Sequence, residues 1–156
     1  MAEVLSVTGH RPPRLGGYGQ HVTQRLDSLA LRTVAAMRPD RLVTGMALGW
    51  DQACARAALA LDIPYEAIVP GTIGGYEQLW PPAARAEFNR LLALAGRVEI
   101  RAYMGGAEIK DRNERVVELG TWLLSLWDGT PSGTGNTVEM ATRRGLPVWN
   151  VWKEWA

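Results

Sequence analysis

Six short apolar runs recur along this chain, and all but the last lead through a turn or loop into a segment whose apolar residues repeat at helical spacing. The runs are Glu3 to Thr8, Arg41 to Thr44, Tyr65 to Val69, Arg97 to Arg101, Trp122 to Trp127 and Pro147 to Trp152. The intervening helical segments are His21 to Met37, Gln52 to Leu61, Ala83 to Ala95, Ile109 to Gly120 and Asn136 to Arg144. In the first of these Val22, Leu26, Leu29, Val34 and Met37 fall on one helical face, and Pro39 ends the pattern. Strands that alternate with helices leave few architectures, because right-handed crossovers bury both faces of a parallel sheet. The pattern predicts an α/β three-layer sandwich with a mainly parallel sheet of about six strands.

The 156 residues suit a single domain, 1–156, with a sizeable core and no internal repeat or linker. Lys and Arg number 17 against 16 for Asp and Glu, so a net charge of +1 gives no general attraction to nucleic acid or to an anionic membrane. Any anion site must be local. Cys54 is the only cysteine, which excludes an internal disulfide and a multi-cysteine zinc site and suits a reducing cytoplasm. The N-terminus has no basic segment ahead of a long apolar stretch, and no run of about eighteen apolar residues occurs, so neither secretion nor membrane insertion is expected.

Ligands of open α/β sheets sit beyond the carboxyl ends of the strands, near the point where the winding reverses. Four segments fall at such ends: Thr8-Gly9-His10-Arg11, the turn from Thr44-Gly45 to Asp51, Arg112-Asn113, and Pro131-Ser132-Gly133-Thr134-Gly135-Asn136-Thr137-Val138-Glu139. The last joins a strand to a helix, with two glycines to let the main chain approach a ligand and Asn136 to cap the helix. Its first-turn amides would then hold a phosphate. Neither a GxxxxGK[ST] phosphate loop nor a dinucleotide fingerprint follows the first strand, since Gly17-Tyr18-Gly19 lies too far from it. With only His10 and His21 in the chain, no metal constellation is visible, and no cofactor is expected.

Taken together, Val7-Thr8-Gly9-His10-Arg11-Pro12, Thr44-Gly45 through Asp51, Arg112-Asn113 and Trp127-Asp128-Gly129 followed by Ser132 to Thr137 resemble the SLOG superfamily. This Rossmann-like group includes the Lonely-guy phosphoribohydrolases and the Smf-type DNA-processing proteins, and the motifs look closest to its small YpsA-like bacterial and phage branch. The resemblance spans nearly the whole chain. Pro131, Gly133, Gly135 and Glu139 match the Lonely-guy pattern Pro-Gly-Gly-x-Gly-Thr-x-x-Glu, whereas Ser132 and Asn136 depart from it. Arg112 corresponds to an arginine those enzymes use, but Asn113 stands where they carry lysine. Arg112-Asn113 also resembles the Arg-Asn pair of the Smf-type proteins. Homodimer formation is a further implication of the resemblance.

Three functions follow as expectations. The first is binding of a nucleotide or nucleotide-derived ligand by Gly9, His10, Arg11, Gly45, Asp51, Asn113, Ser132, Gly133, Thr134, Gly135, Asn136 and Thr137. The second is metal-independent hydrolysis of the N-glycosidic bond of a nucleoside 5′-monophosphate, with Glu139 and Arg112 as catalytic groups. A carboxylate beside the ribose would stabilise the developing oxocarbenium charge. The third is binding of single-stranded DNA, against which the near-zero net charge weighs. Alternatives stand beside the roles: Asn136-x-x-Glu139 also fits a capping box, Asp51 also fits a helix start, and Arg11, Arg14 and Arg112 also fit a solvated surface. Trp50, within a site-facing turn, is the one tryptophan placed to stack on a base, and Trp149, Trp152 and Trp155 suit a sheet edge or a subunit contact.

Overall fold

The computed structural model describes residues 2–71, 76–101 and 107–156. Six strands, β1 (Val4–Gly9), β2 (Arg41–Thr44), β3 (Tyr65–Pro70), β4 (Arg97–Arg101), β5 (Trp122–Leu126) and β6 (Val148–Asn150), form one sheet in the order β4-β3-β2-β1-β5-β6. Every pairing is parallel, as the alternation of strand and helix demands. The helices among the described residues are α1 (Gln20–Met37), α2 (Trp50–Ala60), α3 (Pro82–Leu94), α4 (Glu108–Leu119), α5 (Gly133–Arg143) and α6 (Trp152–Trp155). The fold is α/β and Rossmann-like. From β1 the chain winds outward to β4, then returns to the far side of β1 to form β5, so the winding reverses between β1 and β5.

Alternation along each strand builds the two cores. Leu5 and Val7, Leu42, Tyr65, Ala67 and Val69, and Leu124 and Leu126 join α1, α2 and α3 in the larger cluster. Their neighbours Val4, Val43 and Ile68 pack against Val116 of α4, and Leu123 packs with Val117 and Ala141 of α4 and α5. Successive side chains of a strand point to opposite faces, so apolar residues at every position commit the strand to cover on both sides. Polar ties hold the helices to one another and to the sheet. Arg56 of α2 donates to Asp27 of α1 at 2.9 Å and to Glu87 of α3 at 3.2 Å, and Ser6 Oγ of β1 donates to the Val116 carbonyl of α4 at 2.6 Å.

The C-terminal segment departs from its expected form. Instead of one strand from Pro147 to Trp152, β6 covers three residues and the chain turns at Val151 into α6, which adds a sixth helix to the five expected. Packing drives the turn: Trp155 is buried in the larger cluster, the Arg25 guanidinium lies 4.1 Å from its ring centre, and Arg25 donates to its carbonyl at 2.7 Å. Trp152 meets the His10 ring edge-on at 5.9 Å, and Trp149 is exposed. The glycine loop after β3, expected to cover the site, falls at 72–75 largely outside the described residues. Among the described residues no helix is long and apolar enough to cross a membrane.

Candidate functional site: a cavity at the reversal of the sheet

A cavity of about 390 Å³ opens where the winding reverses. Thr8, Gly9 and His10 enter it from the end of β1, and Arg11 and Arg14 from the turn that follows. Ala47 and Asp51 line it from the entry to α2, Arg112 and Asn113 from α4, and Gly133 and Thr134 from the first turn of α5. The fold thus brings together eight of the residues singled out in the sequence: Gly9, His10, Arg11, Asp51, Arg112, Asn113, Gly133 and Thr134. Pro13, Tyr18 and Ile109 also line it and carried no signal in the sequence. Ser132, Gly135, Asn136, Thr137 and Glu139 lie outside this lining.

One end of the cavity is the start of α5. Ser132, in an extended conformation, is the N-cap, and its Oγ accepts from the Gly135 N–H at 3.0 Å. The cap expected at Asn136 is corrected accordingly: Asn136 already lies inside the helix, its N–H bonded to the Ser132 carbonyl at 2.9 Å, because the serine four residues earlier closes the first turn. Two glycines read as loop are therefore the first and third helical residues. The N–H groups of Gly133 and Thr134 have no protein acceptor among the described residues, and both residues line the cavity, where the helix dipole favours an anion. A Cβ at Gly133 would meet nothing within 4 Å, whereas one at Gly135 would press on the Trp127 ring at 3.1 Å. Thr137 is buried, and its hydroxyl donates to the Gly133 carbonyl at 3.0 Å.

The loop feeding α5 is stapled to β1 through His10. Asp128 Oδ1 accepts from the Thr130 N–H at 3.0 Å and from its hydroxyl at 2.5 Å, and lies 2.9 Å from His10 Nε2. These contacts, foremost the two from Thr130 and then His10, hold the Asp128 carboxyl well below the usual carboxylate range. The Asp128 N–H also points at His10 Nε2 at 3.1 Å. With a proton on Nε2 the ring donates to the carboxylate, and without one it accepts from the amide, so the buried imidazole is held in either state. Arg14 adds a bond to Thr130 Oγ1 at 2.6 Å. The sequence marked Asp128-Gly129 as part of a motif without assigning this clamp.

Arg112 and Asp51 form the opposite wall, and neither is a surface charge. Arg112 is buried, donating to the Gly45 carbonyl and, through Nε, to Asn113 Oδ1 at 2.7 Å. Its approach explains Gly45: a Cβ there would stand 2.5 Å from Arg112 Nη1 and 2.8 Å from Cδ. Gly45 thus serves the site from behind the arginine. Asp51, 6% exposed, accepts from the Ala47 N–H at 3.2 Å through Oδ2, while its buried Oδ1 has no partner among the described residues. Burial pushes the Asp51 carboxyl up to about 6, opposed by the positive charge of Arg112, the Ala47 bond and Arg11. Trp50, expected to face the ligand, is fully buried. Its side chain packs on Gly9, where any Cβ would collide with it, so the glycine at the end of β1 exists to admit a core tryptophan.

Glu139 stands apart from this cavity. Nearly two turns into α5 instead of one, its side chain is 58% exposed and ion-paired with Arg143. Together with Lys110, Asn136, Met140 and Arg143 it lines a second cavity of about 510 Å³, which shares Ile109, Asn113 and Gly133 with the first. Among the described residues no three His, Cys, Asp or Glu side chains converge as metal ligands.

No protein-family model and no curated protein sequence matches the chain. Solved structures do. A DNA processing protein A from Helicobacter pylori, described as binding single-stranded DNA in a unique mode, superposes with a TM-score of 0.68 at 18% identity over 96% of this chain. The chain spans 65% of the length of that protein. A structural-genomics target, TM1055, superposes with a TM-score of 0.60 at 17% identity, covering 95% of this chain and 72% of its own. At these identities the likeness defines the fold class, an open parallel α/β sheet of Rossmann-like type, and the chemistry rests on the side chains described above.

Proposed function

We propose that this chain binds a nucleotide or nucleotide-derived ligand in the cavity at the β1–β5 reversal, as a SLOG-type domain of the YpsA-like branch whose motifs it resembles. One observation carries the reading: Gly133 and Thr134, whose amides have no partner among the described residues, line the same cavity as the buried Arg112 and the rim arginines Arg11 and Arg14. Helix N-terminus and guanidinium both favour an anion, and a phosphate accepts from several donors at once. Gly133→Val tests it with little risk to the fold, because a side chain there has open space in the protein and only a ligand to displace. Calorimetric titration with nucleoside mono-, di- and triphosphates should give binding to the wild type and a loss of about tenfold or more in the variant. Equal affinity in a folded variant would move the anion elsewhere.

Hydrolysis of the N-glycosidic bond ranks second, since Glu139 is exposed, paired with Arg143 and outside the first cavity. Mass spectrometry of the same mixtures reads released base directly. Single-stranded DNA ranks third. The DNA processing protein of similar fold is described as a single-strand binder, but here a chain of net charge +1 offers only a few arginines at the site. Any single-strand binding should therefore be weak and fall steeply between 50 and 200 mM salt, as phosphate contacts release counterions. Tight, salt-resistant binding of an oligonucleotide would reverse this order.

A further inference from the structure

The cavity holds a second recognition element that the anion cradle does not use. Asp51 is more than nine-tenths buried, and it lines the cavity. Oδ2 is satisfied by the Ala47 N–H, but Oδ1, equally shielded, has no donor among the described residues. Arg112 does not supply one; its Nε and Nη1 are engaged by Asn113 and the Gly45 carbonyl, and it acts on Asp51 only through its charge. Buried polar atoms in folded proteins are almost always partnered, and a carboxylate oxygen left bare is among the costlier exceptions. What this wall lacks is a hydrogen-bond donor. The opposite wall, formed by Gly133 and Thr134, lacks an acceptor for its N–H groups among the described residues.

A ligand that satisfies both walls of one 390 Å³ cavity must carry an anion and a donor close together. Inorganic phosphate keeps a P–OH donor at neutral pH but would bring its own charge directly against Asp51, whereas a ribose phosphate carries neutral hydroxyl donors a few bonds from its phosphorus. We propose that Asp51 accepts a hydrogen bond from a ribose hydroxyl of the bound nucleotide and thereby selects ribonucleotides over their deoxy counterparts, an assignment that rests on the nucleotide-binding reading above. Asp51 is then a specificity-determining residue, and the stapling of its loop keeps the acceptor in place: Gln52 Nε2 donates to the Met46 carbonyl at 3.1 Å, and Thr44 Oγ1 to the Asp51 carbonyl at 3.0 Å.

The experiment compares adenosine and guanosine 5′-monophosphates, their 2′-deoxy and 3′-deoxy forms, and inosine 5′-monophosphate, titrated into the wild type, Asp51→Ala and Asp51→Asn. Hydrogen bonds to charged groups lead us to expect one of the two deoxy forms to bind the wild type about ten- to a hundredfold more weakly than its parent. In Asp51→Ala the two should bind alike, and Asp51→Asn, which keeps the shape without the charge, should fall between. Thermal melts confirm that each variant is folded. Deoxy forms that bind the wild type as well as the parents overturn the assignment. So does a preference that survives in Asp51→Ala, or a loss confined to inosine 5′-monophosphate, which would make a base amine the donor. If none of these nucleotides binds a cooperatively melting wild type, the nucleotide-binding reading fails first and the assignment falls with it.

Discussion

Asp51→Asn should stabilise the ligand-free protein by about 2–3 kcal/mol at pH 7 and by less than about 1 kcal/mol at pH 4. The carboxyl is pushed up to about 6 by burial, from an ordinary value of 3.8. The folded protein therefore holds the Asp51 proton more tightly than the unfolded chain does. Below about pH 3 both states carry the neutral acid and the residue is without cost. As the pH rises from 3 through 6 the unfolded chain releases its proton first, and stability falls by about 1.4 kcal/mol for each unit separating the two values. Asparagine mimics the neutral acid, keeps an oxygen for the Ala47 N–H and so escapes the loss. For a chain of this length the gain corresponds to a rise in Tm of roughly 4–10 °C. Urea unfolding of both proteins at pH 4 and pH 7 measures it, and a variant less stable than the wild type at pH 7 would sink the argument. A buried acid that weakens its own protein at neutral pH, on the wall of a cavity, is what a residue retained for its ligand looks like.

The parts of this protein that could be read from its sequence are those whose signal is local. The continuously apolar strands and the helix from Gln20 to Met37 announce themselves within a few residues, and their order fixes a parallel sheet and the place where its winding turns back. The start of α5 was blurred for a local reason too. Serine and asparagine are comparable N-caps, and glycines are poor helix formers, so Ser132 through Gly135 looks like loop until the Ser132 side chain is seen to cap it. Shifting that start by three residues carries Glu139 about 4.5 Å further from the helix end than the motif suggests. Burial of the polar wall was not legible at all. Arg112 is buried because Gly45, sixty-seven residues earlier, has no side chain, and Trp50 leaves the site because Gly9 does the same for it. Each of these pairs is a distant coincidence in the chain that only the fold brings into contact. The short α6 depends likewise on Arg25 meeting Trp155 from the other end of the sequence.

Removing Arg112 should do the greatest combined damage. Arg112→Ala strips the Gly45 carbonyl of its donor and takes away the charge that best offsets the burial of Asp51, whose carboxyl then rises further. It also leaves a void at the side of the cavity. We expect a loss of about 2–4 kcal/mol in unfolding free energy at pH 7, smaller at pH 4, where Asp51 is neutral and needs no counter-charge. Nucleotide affinity should fall about ten- to a hundredfold, the scale of a charge-assisted contact to phosphate. Arg112→Lys keeps a cation but not the fork that grips Gly45 and Asn113 together, so it should restore less than half of the lost stability. The double variant Asp51→Asn with Arg112→Met separates the two roles. With both buried charges gone its stability should return to within about 1 kcal/mol of the wild type, while binding stays lost. Chemical denaturation and calorimetric titration of the wild type and the three variants read both effects. Wild-type affinity in Arg112→Ala would remove this residue from the anion site, and a double variant no more stable than Arg112→Ala would mean that the arginine holds the fold through its backbone contact instead of through Asp51.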